Sequence, residues 1–321
     1  MIHSALHTAQ YQDKSIRITL NKHGQSDYIK QRSPITYGLY TEVETKSMLL
    51  RFNLCNEIIQ AQGRDDTWPC DQEYLKRTAG NDWVYYSTSG YAGRWETITD
   101  AAFSANVRFR VPDPYQEIQS TTGEYYRANL PYASNGITGD DPFSLPSVQH
   151  IITGWHRELR RIYNTAPGMP KPFQNFLASA IKNSPEQLAH NSRQLFSATG
   201  GRTSVLPPDT RHVDYNVIPL NISRGCLYKC RFCSVKNEMK YVALSRDAIS
   251  EQIKQLTAVY GVNLYNYNAI FLGDHDALNV TADVILSTIT EAKQAFQLHR
   301  SFMRGGICFP LWQRLLTTKK G

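Results

Sequence analysis

Over V-Q-H-I-I-T-G-W-H-R-E-L-R-R-I-Y (148–163), the apolar residues Ile151, Trp155, Leu159 and Ile162 recur every three to four positions. That period predicts an amphipathic helix, with Arg157, Arg160 and Arg161 on its solvated side. Further helices are predicted at 171–182 and from Pro185 to Phe196, where Ser184 is the cap and Pro185 the first helical position. V-R-F-R-V (107–111) alternates with period two and stops at P-D-P, as a short strand does. The aromatic and turn-rich run N-D-W-V-Y-Y-S-T-S-G-Y-A-G-R-W (81–95) and the turn-dense stretch at 130–146 complete an α+β region without evident chemistry. Its role is not legible.

A-T-G-G-R-T-S-V-L-P-P-D-T-R (198–211) combines paired glycines with paired prolines and reads as the start of a linker over 198–216. Beyond it the pattern changes. V-I-P-L-N-I (217–222) is a buried-type strand. An amphipathic helix follows at 245–261, with Ile249, Ile253, Leu256 and Tyr260 on one face, Ser245 as N-cap and Gly261 just past the end. N-A-I-F-L-G-D (268–274) is a second buried strand, and a second helix covers about 281–298. Strand, helix, strand, helix implies an α/β unit with parallel strands and right-handed crossovers. Ligands in such folds bind at the carboxyl ends of the strands. The tail after His299 is basic, aromatic and irregular, so two strand–helix units are expected in 217–321. The chain thus divides into 1–197, a linker at 198–216, and 217–321.

Hydrophobic residues make up 41% and charged residues 20% of the 321 positions, which excludes global disorder. No secretory leader is evident at the N-terminus and no apolar run is long enough to span a bilayer, so a cytoplasmic protein without a membrane partner is expected. Thiols stay reduced there, which directs attention to metal or catalysis for clustered cysteines. Residues 1–216 carry 22 Lys+Arg against 21 Asp+Glu, whereas residues 217–321 carry 13 against 7. Arg224, Lys229, Arg231 and Lys236 surround the cysteines, where positive charge offsets thiolates or attracts an anion.

The cysteines in question stand in G-C-L-Y-K-C-R-F-C (225–233), as Cys226, Cys230 and Cys233. Structural zinc takes four ligands, commonly as two separated pairs, and here there is one triplet. Cys55, Cys70 and Cys308 are distant in sequence, and His212 and His275 lie at no finger-like spacing. A [4Fe–4S] cluster held by three thiolates leaves one iron open to a ligand. A non-catalytic zinc- or nucleic-acid-binding protein stays as the alternative, with metal identity to separate the two.

The segment I-P-L-N-I-S-R-G-C-L-Y-K-C-R-F-C-S-V resembles the first strand and cluster loop of the radical S-adenosylmethionine (SAM) superfamily. That family's loop is C-x3-C-x-(aromatic)-C, with Phe232 in the aromatic place and Arg224-Gly225 in front as in many members. The resemblance covers about residues 215–300. It implies that Cys226, Cys230 and Cys233 hold a [4Fe–4S] cluster and that SAM chelates the fourth iron, with Phe232 beside the adenine. It further implies that A-I-F-L-G-D-H-D-A-L (269–278) receives the SAM amino group, through Gly273, Asp274 and Asp276. This motif departs from the commoner Gly-Gly-Glu form.

The implied activity is reductive cleavage of SAM to methionine and a 5′-deoxyadenosyl radical, which removes a hydrogen atom from a substrate. A flavodoxin- or ferredoxin-type one-electron donor is implied as partner. No residue is nominated for the substrate step. RNA is compatible with the basic last third but not favoured, since no RNA-binding module is recognisable. The family's core is a partial barrel of six strand–helix units, so an incomplete barrel is expected at the C-terminus, with truncation favoured over one half of a split enzyme or a shortened fold that needs a partner.

Overall fold

The computed structural model describes residues 6–13, 15–23, 39–69, 73–77, 79–87, 123–126, 142–200, 217–225, 227, 240–267, 269–272, 277–302 and 307–310. Eight strands of the N-terminal half pair in chain order as an antiparallel meander. They are β1 (Ala9–Gln12), β2 (Ile16–His23), β3 (Leu39–Thr45), β4 (Met48–Phe52), β5 (Ile58–Gly63), β6 (Glu73–Arg77), β7 (Trp83–Ser87) and β8 (Gly123–Tyr126). Period-two alternation sorts their side chains. Ile16, Ile18, Val43, Leu50, Phe52, Ile58, Ala61, Leu75 and Tyr85 are buried together. Across the other face, Glu44 is held by Arg17 and Arg64, and Glu42 by Lys22 and Arg51. Burial pushes the Glu42 carboxyl up, but its hydrogen bonds and charge contacts with Lys22 and Arg51 outweigh that, and the net direction is down.

Helices cover the apolar face. They are α1 (Pro146–Thr165), α2 (Lys171–Lys182) and α3 (Pro185–Ala198). Trp155, Leu159 and Ile162 of α1 and Phe173, Phe176 and Leu177 of α2 complete the core. Phe52 meets Phe176 edge-on, with ring centroids 5.4 Å apart. Ser184 caps α3 by accepting a hydrogen bond from the Gln187 amide. Of the linker expected over 198–216, Ala198 instead ends α3, and both it and Thr199 are buried. The strand expected at 107–111 and residues 201–216 lie outside the described residues.

A second core forms around three parallel strands in the order β13-β12-β9. These are β9 (Val217–Leu220), β12 (Ala269–Leu272) and β13 (Ile307–Pro310); β10 (Ser223–Arg224) and β11 (Val242–Ala243) form a separate small ribbon. The crossover helices are α4 (Arg246–Tyr260) and α5 (Ala282–Ala295). Ser245 caps α4 and Gly261 closes it at positive φ, as its sequence dictates. β13 corrects the expectation of an irregular tail, adding a third parallel strand after the two strand–helix units. Its I-C-F-P run is short and follows two glycines, but β12 would otherwise leave one row of backbone groups without a partner. Among the described residues, the parallel strands form an open sheet and no helix is long and apolar enough to cross a membrane.

Helix α3 serves both cores, through Leu188 at one end and Leu195 and Ala198 at the other. Beside it, the β4–β5 turn wedges between the two units. Asn53 Oδ1 accepts from the amides of Cys55 and Glu57, both at 3.0 Å, which holds the turn tight. Asn183 Nδ2 of the N-terminal unit donates to the carbonyls of Cys55 (3.0 Å) and Asn56 (2.9 Å). On the other side the Cys55 thiol meets the Tyr267 hydroxyl at 3.9 Å and accepts from Asn266 Nδ2 at 3.4 Å. Burial, with the Glu57 charge added, pushes this thiol from 9.0 to about 11. Glu57 also accepts from Asn191 Nδ2 at 2.9 Å and pairs with the buried Arg77 at 3.4 Å.

Arg77→Met would leave the Glu57 carboxylate short of its cation and strip the donor from the Ile58 carbonyl. The expected loss is about 3 kcal/mol in chemical denaturation. Because the folded chain retains a Cys55 proton that the unfolded chain releases, stability should fall as pH rises between 9.0 and about 11. The Cys55→Ala variant should lose that part of the slope when unfolding is followed across the same range.

Candidate metal centre

Parallel pairing aligns the ends of the strands. Leu220 of β9 lies beside Leu272 of β12, and Leu272 beside Pro310 of β13, so all three strands finish in one row. Adjacent strands run about 4.8 Å apart. The chain therefore leaves β9 toward Cys226 and leaves β12 toward Gly273 from neighbouring points on one sheet edge. Both strands are buried throughout, which their continuous apolar runs V-I-P-L and A-I-F-L require.

The entrance to the cysteine loop is pinned at several points. Ser223 pairs with Ala243 and Arg224 with Val242, so the small antiparallel ribbon ties residues on both sides of 225–241. The Leu244 amide adds a bond to the Ile222 carbonyl at 3.0 Å. Gly225 then takes φ +68°, a left-handed conformation that glycine adopts without a Cβ clash. The sharp turn directly precedes Cys226.

Asn221, the first residue beyond β9, is buried. Its amide donates to Gln252 Oε1 of α4 at 2.8 Å, and its carbonyl accepts from Gln252 Nε2 at 3.0 Å. Its own side chain donates to the Thr199 carbonyl at the end of α3, at 3.0 Å. Arg224 crosses the same helix end, where a Cβ on Gly200 would land on the guanidinium. Ser223 Oγ and Arg224 Nε are buried without a hydrogen-bond partner among the described residues.

Cys226, Cys230, Cys233, Phe232, Gly273, Asp274 and Asp276 themselves lie outside the described residues, as do His212, His275 and Cys70. The strands that lead into these two segments, β9 and β12, end at a common edge. Cys308 falls in β13, at the register position of Ile270. Cys55 is engaged elsewhere, and a thiol kept protonated to about 11 is a poor metal ligand, since ligation needs the thiolate. Among the described residues, no three His, Cys, Asp or Glu side chains cluster as a metal site needs.

The donor set fits an iron–sulfur cluster. Three soft thiols close in sequence match its preference for thiolate. Arg224, at the loop entrance, carries a positive charge of the sign that offsets thiolates, with its guanidinium packed at the end of α3. The surrounding polar framework was not read from the sequence. Its one signal was Gln252, a polar residue on the face that α4 buries with Ile249, Ile253 and Leu256. No family model matches the chain, and neither does any curated protein or solved structure.

Proposed function

We propose that the chain is a radical SAM protein, in which Cys226, Cys230 and Cys233 hold a [4Fe–4S] cluster with one iron open to SAM. The observation that supports this best is the common row of Leu220 and Leu272, because it delivers the cysteine segment and the Gly/acidic segment to one edge of a parallel sheet. Open α/β sheets bind ligands at that edge. In this reading Phe232 lies against the adenine, and Gly273, Asp274 and Asp276 take the amino group. When bound, the cluster and SAM together supply a one-electron cleavage to methionine and a 5′-deoxyadenosyl radical for hydrogen abstraction. The chain's own part is to hold three thiolates on a loop whose ends are fixed, and to orient SAM from the adjacent strand. A flavodoxin- or ferredoxin-type donor would provide the electron, in the cytoplasm, and the substrate class is open.

Ala in place of Cys226, Cys230 or Cys233 should each abolish cluster uptake on anaerobic reconstitution with iron and sulfide, because two thiolates do not retain it. Replacement of Cys55, Cys70 or Cys308 should leave uptake intact. The decisive measurement is the EPR spectrum of the reduced wild-type chain with and without SAM. A [4Fe–4S] signal that shifts on adding SAM supports the proposal. A signal indifferent to SAM removes the cofactor from it, and bound zinc without a cluster replaces it with a metal-binding module.

A further inference from the structure

We propose that Gln252 is a positioning residue for the cysteine loop, acting through the backbone of Asn221. A strand that leaves its sheet must find new partners for its N–H and C=O groups. At Asn221, only 2% exposed, bulk water cannot supply them. A side-chain amide carries a donor and an acceptor in one plane, so it can meet both groups of one residue, as a neighbouring strand would. Gln252, itself 5% exposed, does this with bonds of 2.8 and 3.0 Å.

Two further contacts make the arrangement a clip rather than a single tie. Asn221 Nδ2 holds the Thr199 carbonyl, and Thr199 is locked in turn by its hydroxyl donating to the Leu195 carbonyl at 2.9 Å. The segment five positions ahead of Cys226 is therefore gripped between the middle of α4 and the end of α3. Helix α4 also packs on β9, so the clip ties the loop's departure to the sheet edge that β12 shares. Satisfying a buried backbone pair would be the whole role of a merely structural glutamine. A positioning role requires that the loop's ligand set respond when the fold does not.

The inference rests on the proposed metal centre for its purpose, though not for its geometry, and the test separates the two. Gln252→Met retains volume and removes both bonds; Gln252→Glu retains the acceptor for the Asn221 amide and, ionised, lacks the donor. Hydrogen exchange at the Asn221 amide in the metal-free chain reports the clip itself, and should quicken about tenfold in Gln252→Met. Iron and sulfide content and EPR line shape after reconstitution report its purpose. The expected result is a content at least halved, or an altered line shape, in Gln252→Met at unchanged far-ultraviolet circular dichroism, with Gln252→Glu intermediate. Unchanged exchange at Asn221 overturns the clip. Equal iron content and identical spectra in wild type and both variants overturn the positioning role. A wild-type chain that takes up no iron overturns the functional reading and the clip's purpose with it, while the exchange data still judge the geometry. Should Gln252→Met fail to fold, Gln252→Glu carries all three readouts.

Discussion

Two short apolar strands, Val217–Leu220 and Ala269–Leu272, can pair in parallel only if the intervening chain crosses a face of the sheet and returns to the starting side. That requirement organises the C-terminal half. It assigns α4 its amphipathic face and makes β12 a central strand with β9 on one side and β13 on the other. It also makes every strand end at the same edge. Segments that follow the strands therefore depart from one edge of the sheet. An antiparallel arrangement would have sent the cysteine segment and the Gly/acidic segment to opposite edges.

The N-terminal meander is coupled to this sheet by polar groups at its margin as much as by apolar burial. Helix α3 donates Leu188 to one core and Leu195 and Ala198 to the other, so neither core is complete without it. Asn183, Asn191 and Arg77 clamp the β4–β5 turn from the N-terminal side, while Tyr267 and Asn266 receive Cys55 on the far side. Tyr260 packs edge-on against Tyr267 at 4.6 Å, and burial raises both phenols above their usual range. Proton loss anywhere in this group would bury a charge in poorly polarisable surroundings. The neutral states of Cys55, Tyr260 and Tyr267 are thus part of what holds the units together.

The sequence was most informative where local rules act alone. Ser184 and Ser245 are caps that side-chain chemistry announces, and α1 and α4 follow from their periodicity. The strands at 217 and 269 were readable because continuous apolar runs of that length fit a strand buried on both faces. The eight-stranded meander was not readable strand by strand. Its inner positions include Thr41 and Glu73, and the Glu73 carboxylate is satisfied by Tyr85, twelve residues away, a pairing no local pattern reveals. β13 was hidden in the same way, since a four-residue run becomes a strand only when β12 offers it an edge. Of the site, the residue types and their order were legible. The polar framework beneath them was not, because Gln252, Asn221 and Thr199 meet only after three separate elements have packed.

The position of a loop is decided at its ends, and here the lever is short. Cys226 lies five positions after Asn221, and an unrestrained extended segment of that length spans about 17 Å. Pairing of Arg224 with Val242 leaves Gly225 alone between the last bridged residue and the first cysteine. The return path is held as well, by the Leu244 amide on the Ile222 carbonyl and by Ser245 beginning α4. A loop closed this tightly at its base loses much of its closure entropy before any ligand arrives. If the three cysteines hold a cluster as proposed, the ordering cost of bringing their thiolates together would be correspondingly lower than on an open chain. On the proposed reading, the ribbon, the Gln252 clip and the glycine turn would contribute to metal affinity without touching the metal.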